Sequence, residues 1–590
     1  MASDPRDLPG TDVLPGDDDP IWTPPALPPP PAPGFASGGP IVTLLREEST
    51  AHPFALAVAA AWSCYGGRPA RVENVLKLVT ADPHADAAAN PIKAADRTAR
   101  RERAMRLYAD LFAAGHHTTL QHATFVFVLD NVSRLAIWSF FHAHPFYNSE
   151  QVSQRYREVS GDNMVTPDLP PVEREIYDAA IRRSIEGYRR LTDLLSPDMA
   201  ARYGKVFPAR AKATGPQAEH RFSDAVQKRA QEVARYVLPL ATPAHLYHTV
   251  NGLTLLRYHV LANGPDAPAE VRRIVNEMVR QVLDVDPFFL GAPGYPLDLR
   301  PLGADDSPEA VTIARLRSAL DSLPEENEAA IRAFDAQMGP WDASRLAGFN
   351  PDAERTLADA VRTVLAATPE ALDDDAAVAA VLDGRENALL GHPLFLGMHD
   401  KLMQTMNHVP FTFQKRISGA EDAQNQRHRG TLSSGPMLLA HQRREPDVIV
   451  PWAIRQNPAA RAEYEATVTA MWEAKNALLD RGAPPEAALY LLPNAHRVRF
   501  YESGTLLGYY WKWVKRLCYD AQREIFETAH QEVAQVREVF PRIGHYVGGP
   551  PCVVRSRAGV TPICPEGERF CGVPVWRGYR FETLDERRPM

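Results

Sequence analysis

The chain has 590 residues, more than one hydrophobic core usually organises, so division into two or more domains is expected. Hydrophobic residues at 45% and charged residues at 23% give a globular balance, and a formal charge of -8 excludes the broad basic field of a nucleic-acid binder while leaving room for a local pocket for a small anion. Cys64, Cys518, Cys552, Cys564 and Cys571 are too few and too unevenly spread for a disulfide scaffold; the start of the chain lacks a basic-then-apolar leader and the apolar run near residues 54–64 is too short to cross a bilayer, so no membrane partner and a cytoplasmic location are expected.

In chain order, residues 1–40 contain LPGDDDPIWTPPALPPPPAPG, where proline removes backbone donors, and they read as a disordered tail. Residues 41–290 form a first unit. Within it Val271, Ile274, Val275, Met278, Val282 and Val285 recur at helical spacing and predict an amphipathic helix over 269–285. Residues 291–344 read as a connector that opens with a proline- and acid-rich stretch; helical patterns follow at 325–336 and 354–367. Residues 345–590 make a second unit with a cysteine-rich C-terminal segment.

The two units are repeats. Val237-Leu238-Pro239, Glu270, Val279, Gln281, Val282 and Pro287 match Leu491-Leu492-Pro493, Glu524, Val533, Gln535, Val536 and Pro541, each 254 positions later without a gap. Upstream, His122 to Phe127 parallels His408 to Phe413 at another offset, as expected when intervening loops change length. Each copy is expected to hold a strand at this His-x-x-Phe-x-Phe block and long helices after it, an α/β (α+β) fold with a mixed sheet packed against helices.

Gly115-His116-His117-Thr118-Thr119-Leu120-Gln121-His122 with Phe125-Val126-Phe127, and Tyr147-Asn148-Ser149-Glu150-Gln151-Val152-Ser153-Gln154-Arg155-Tyr156, resemble the N-terminal block and nucleotide loop of the flavin-dependent thymidylate synthases. That family places Arg-His-Arg before the loop, where the first copy has His142-Ala143-His144. The second copy has Gln424 and Arg427-His428-Arg429 at the family's spacing, but its next loop, Gly430 to Pro436, departs from the pattern. Arg235 and Asn251 match a phosphate-binding arginine and a flavin-contacting asparagine, positions taken by Leu489 and Thr505 in the second copy. Conversely, the arginine that acts on the pyrimidine ring falls at Ala262 in the first copy and at Arg516 in the second. Each copy keeps what the other lacks.

The resemblance implies conversion of dUMP to dTMP with FAD as cofactor and NADPH and methylenetetrahydrofolate as co-substrates. Arg516 is then the catalytic residue, because a nearby cation favours the anionic pyrimidine ring. Arg427, His428, Arg429, Asn251, His116 and Thr118 are the expected FAD residues. Gln424, Glu150, Gln151, Ser153, Gln154, Arg155 and Arg235 are expected to hold dUMP, with guanidinium forks on its phosphate. Since family members are homotetramers whose sites draw on several subunits, a homodimer acting as a pseudo-tetramer is implied. Methylation of another pyrimidine nucleotide, or flavin and nucleotide binding without turnover, are the alternatives.

Other residues have a plainer reading. His122 and His408, beside apolar strands, read as structural hydrogen-bond formers, and His142 and His144 have no evident role. His545, Cys552, Cys564 and Cys571 carry donor types suited to a structural zinc, although no Cys-x-x-Cys pair is present and cysteines of a loop-rich segment are the competing reading.

Overall fold

The computed structural model describes residues 26–29, 32–80, 91–155, 157–299, 309–320, 324–441 and 443–589. Each copy builds one four-stranded antiparallel sheet, and the strand order is the same in both. In the first the order is Ile41–Leu44, Thr124–Ser133, Pro243–Asn251, Asn148–Gln151; in the second it is Ser344–Phe349, Pro410–Ser418, Arg497–Thr505, Thr431–Ser434. The central strands alternate: Phe125, Phe127 and Leu129 point into the first core, and Phe411 and Phe413 into the second. The helix expected over 269–285 runs from Ala269 to Leu283 and buries Val271, Ile274, Val275, Met278 and Val282.

The 254-residue offset becomes visible as identical hydrogen bonding. Gln281 donates to Val42 O and accepts from Leu44 N; Gln535 donates to Ser344 O and accepts from Leu346 N. Each glutamine thus latches its helix to its edge strand. Ser133 and Ser418 cap the helical turns that follow their strands and donate to Glu270 and Glu524 respectively.

A third core joins the copies. The helix Pro171–Val206 packs on Pro458–Asp480 of the other copy, with Leu191, Leu195, Tyr464 and Val468 buried in one cluster. The two helices cross closely at Gly187, where an added Cβ would stand 2.3 Å from Thr467 Oγ1. Across the joint, Leu240 N donates to Leu492 O and Asn494 N to Leu238 O, while Ala241 N donates to Tyr490 O and Ala495 N to Tyr236 O. These pairs interchange under the 254-residue shift, so the two copies are related by a pseudo-twofold axis.

Of the expected tail, residues 1–25 lie outside the described residues. Its end is not loose: Ala36 N donates to Thr166 O, Asp168 N donates to Gly34 O, and Phe35 packs edge-on against Tyr490 of the second copy. The expected connector contains two helices, Ala310–Leu320 and Pro324–Gln337, before the strand at Ser344.

Candidate functional site

A cavity of about 720 Å³ opens where the two copies meet. The first copy lines it with Arg134, His142, Glu150, Gln151, Ser153, Gln154, Arg155 and Arg235. The second supplies Gln424, Arg427, His428, Asn494, Lys515 and Arg516. The loop expected to bind nucleotide in one copy and the Arg-His-Arg segment of the other therefore face one space.

The Arg-His-Arg segment is held from beneath. Asn425 Nδ2 and Thr431 Oγ1, on either side of it, each donate to Glu502 Oε1 at 2.9 Å. Glu502 is 1% exposed and is neutralised by Lys415 at 2.9 Å and Lys512 at 2.5 Å. The two lysines hold its carboxyl well below the usual carboxylate range against the opposing effect of burial. His428 is driven the other way. Burial first, then Arg516 and Lys512, lower its pKa well below 6.5, so the ring is neutral, and Arg516 Nε donates to its Nε2 at 2.7 Å. Accepting at Nε2 places the ring proton on Nδ1.

Arg516 ends the helix Leu506–Arg516; its Nη2 also donates to Gln424 O at 2.7 Å, and Nη1 is without a partner among the described residues. Burial, Arg155 and Arg427 push its pKa down to about 9, a guanidinium still charged at neutral pH and stabilised by any anion that enters.

The residues expected to hold phosphate form part of the cavity wall and are anchored from behind it. Arg155 Nε pairs with Glu232 at 2.7 Å and its Nη2 donates to Asp520 O at 2.8 Å. Buried Arg235 donates to Gln522, which Gln424 also contacts at 2.5 Å. Gln154 accepts from Asn494 at 3.1 Å, but its own Nε2 is buried with no partner among the described residues, as is Gln424 Oε1. Two orphaned amide atoms in one cavity are groups that a polar ligand would satisfy. Glu150 lies at the rim, pairing with Arg427 at 2.9 Å, where both side chains are largely exposed. Gln151 and Ser153 are partly buried; Arg134 donates to Gln151 Oε1 at 2.9 Å, and Ser153 Oγ accepts from Arg155 N at 3.2 Å. Arg429 turns away to Tyr147 O and Asn148 Oδ1, with its guanidinium over the Tyr147 ring.

Arg134 escaped sequence reasoning. It follows the capping Ser133, and the equivalent residue after Ser418 is Gly419, so comparing the two copies position by position would have marked it.

Three expected flavin residues are elsewhere. His116 and Thr118 are exposed in the turn before the strand Thr124–Ser133, and Asn251 caps the helix Gly252–Leu261 by accepting from Thr254 N at 2.8 Å. Thr124 and Asn251 pair in register, so all three cluster at one end of the first sheet and none lines the cavity.

His142 and His144 have lost any cationic role. His142 stacks on Tyr147 at 4.7 Å and donates to or accepts from Ser149, and burial lowers its pKa to about 3; His144 meets Tyr258 OH at 2.8 Å and is lowered to about 4.

The pseudo-twofold mate of the cavity is a smaller space of about 210 Å³. Glu150 pairs with Tyr247 and Ser434 with Tyr501, equivalent partners, so the same register puts Leu439 where the first copy has Arg155. Leu439, Leu489 and Leu135 line it together with Ser139 and Ala143, the counterparts of Gln424 and His428. The chain builds one cavity with the arginines and one smaller mate without them, whose lining also includes Asp266, Gln426 and Ser433.

The expected zinc site requires correction. No group of three or more His, Cys, Asp or Glu residues among the described residues is arranged to hold a metal ion. His545 is exposed with its ring against Tyr546, whereas Cys552, Cys564 and Cys571 join Cys518 in a small apolar pocket. Burial pushes the Cys518 and Cys552 thiols up to about 12, so they stay protonated and pack as small apolar groups.

Two copies of one antiparallel-sheet fold are joined about a pseudo-twofold axis, with a cationic cavity shared between them. The sequence profile of the family described as thymidylate synthase complementing protein matches residues 46–288 and again 345–542, and the chain belongs to this family. Its relatives include proteins named flavin-dependent thymidylate synthase from Clostridium tetani, 27% identical over 180 residues, and Mycobacterium avium, 30% identical over 176 residues. These alignments cover 30% and 29% of this chain and 65% and 63% of those relatives. A third, from Geobacter sulfurreducens, is 26% identical over 213 residues, 35% of this chain and 77% of the relative. Among the described residues no helix is long and apolar enough to cross a membrane.

Proposed function

We propose that this chain is a flavin-dependent thymidylate synthase that methylates dUMP at one composite site per chain, using FAD, methylenetetrahydrofolate and NADPH. One observation carries the reading: Gln154, Arg155 and Arg235 of one copy line the same cavity as Arg427, His428 and Arg516 of the other.

The residues fit both ligands. Gln154 Nε2 and the Arg155 guanidinium suit a nucleotide phosphate, and Gln424 Oε1, which can only accept, suits a hydrogen-bond donor of a bound ligand. Arg516, held by His428 and Gln424, would offer Nη1 to the pyrimidine and favour the ring deprotonated at N3, which makes C5 the better nucleophile. His428 and Arg427 suit the polar edge of a flavin. Bound FAD supplies the hydride that completes the methyl group, and the folate supplies the carbon. His116, Thr118 and Asn251 stand at one sheet end and do not line the cavity; in a homodimer they would serve the site of a second chain.

The test is the absorbance spectrum of the purified chain followed by a dUMP methylation assay. About one flavin per chain and dTMP formation lost in Arg516→Ala are expected. Two flavins per chain, or none after FAD is added, would overturn the composite site.

A further inference from the structure

A second cavity, of about 420 Å³, lies behind the wall formed by Glu232, Tyr236 and Gln522. Seven arginines and four carboxylates line it; Arg229, Arg416, Arg497 and Arg523 are paired with carboxylates in or beside it, so the positive excess centres on Arg202 and Arg455. Trp452 is clamped between the guanidiniums of Arg202 and Arg523, 4.5 and 4.4 Å from its ring. Arg202 and Arg455 have no carboxylate partner among the described residues, and Arg497 Nε is buried without an acceptor there. None of these residues lines the composite site.

The pseudo-twofold axis shows what such a groove accepts, because its mate in the first copy is filled. Val165 N donates to Ala241 O and Ile449 N to Ala495 O, so Thr166, Pro167 and Asp168 correspond to Val450, Pro451 and Trp452. Along Thr166 to Asp168 the chain's own residues Gly34 to Ala36 pair through two main-chain hydrogen bonds, with Phe35 bridged to Pro167. Phe35 sits edge-on to Tyr490 and under Arg273, which also donates to Pro33 O. Tyr490 and Arg273 correspond to Tyr236 and Glu527, both lining the second-copy cavity. There the segment before the edge strand is the helix Pro324–Gln337, whose Asp335 binds Arg499, and among the described residues no segment pairs with Val450 O or with the N–H of Trp452, the first residue of the short helix Trp452–Arg455.

We propose that this groove binds an extended acidic peptide that adds to the edge at Val450–Trp452, with an aromatic side chain near Tyr236 and Trp452 and carboxylates on Arg202 and Arg455. Main-chain pairing along an open edge supplies affinity, and the arginines select the sequence. The chain itself contains this chemistry in Asp17-Asp18-Asp19-Pro20-Ile21-Trp22. The proposal does not depend on the methyl-transfer reading.

The experiment is fluorescence anisotropy of a labelled LPGDDDPIWTPP peptide against the full-length chain. Asp17, Asp18 and Asp19 of that chain are changed to Asn so that it carries no identical competitor. Saturable binding is expected, weakening with salt and falling about tenfold or more in an Arg202→Glu, Arg455→Glu double variant that keeps its thermal transition, as when charge complementarity is reversed. The proposal is overturned by no saturable binding at millimolar peptide, or by equal affinity in the double variant. Binding of pyrophosphate without the peptide would instead assign a small-anion site. A drop to half the molecular mass in the double variant, again without peptide binding, would assign the groove to a second copy of the chain.

Discussion

Pro239 and Pro493, the same position of the two copies, face each other across an antiparallel bridge, so the pseudo-twofold axis passes between them. Around it the tyrosines are exchanged: Tyr236 donates to Glu524 of the second copy, and Tyr490 donates to Glu270 of the first at 2.9 Å. Each copy therefore completes the buried Ser-Glu pair of the other. The joint is built into both cores, which gives the composite cavity a rigid frame.

If one site per chain is real, the two positions of the repeat respond unequally. Arg235→Leu, which installs the residue the second copy carries at Leu489, is expected to weaken dUMP binding by about tenfold or more, the loss of a charged hydrogen bond to phosphate. Leu489→Ala, in the smaller mate of the cavity, should leave dUMP affinity unchanged. Titration calorimetry on both variants checks this, and an effect at Leu489 equal to that at Arg235 would contradict it.

Glu502 positions the Arg-His-Arg segment and neutralises two lysines that are at most 1% exposed. Glu502→Gln leaves Lys512 buried and uncompensated, and a loss of roughly 3–5 kcal/mol of stability is expected by urea denaturation. In variant protein that remains folded, FAD affinity should fall with it, since Asn425 and Thr431 lose their shared charged acceptor.

Glu270 gives a pH dependence. Burial outweighs its three donors and raises its pKa from 4.5 to about 7. The folded chain thus holds this proton more tightly than the unfolded one. The stabilisation is full below about pH 4.5 and is lost as pH rises through about 7, roughly 3 kcal/mol across that window. Thermal unfolding between pH 5 and 8 should show Tm decreasing as pH rises, with a shallower slope in Glu270→Gln. An unchanged slope would remove Glu270 as the source.

The two glutamine latches are predicted to be equivalent. Gln281→Ala and Gln535→Ala each remove two hydrogen bonds to an edge strand, worth about 1–3 kcal/mol together. Hydrogen exchange should show faster exchange at Leu44 N in one variant and at Leu346 N in the other, each confined to its own copy.

By itself the sequence determined the duplication, the fold class and which residues each copy retains, because a gapless 254-residue offset and periodic apolar positions such as Val271 to Val282 are local, countable signals. It also indicated that Arg235 and Arg516 complement each other, since each stands where the other copy has an apolar residue. Only the tertiary structure decided that these residues meet in one cavity while His116, Thr118 and Asn251 do not, because side chains far apart in sequence are brought together by how two cores pack about an axis. The same holds for the cysteines, which spacing set beside His545 and folding gathered with Cys518 into an apolar pocket. The pairing of Phe35 with the second copy's Tyr490 was hidden for the same reason: a proline-rich segment shows no periodicity, and its order comes from an edge supplied by residues over a hundred positions away.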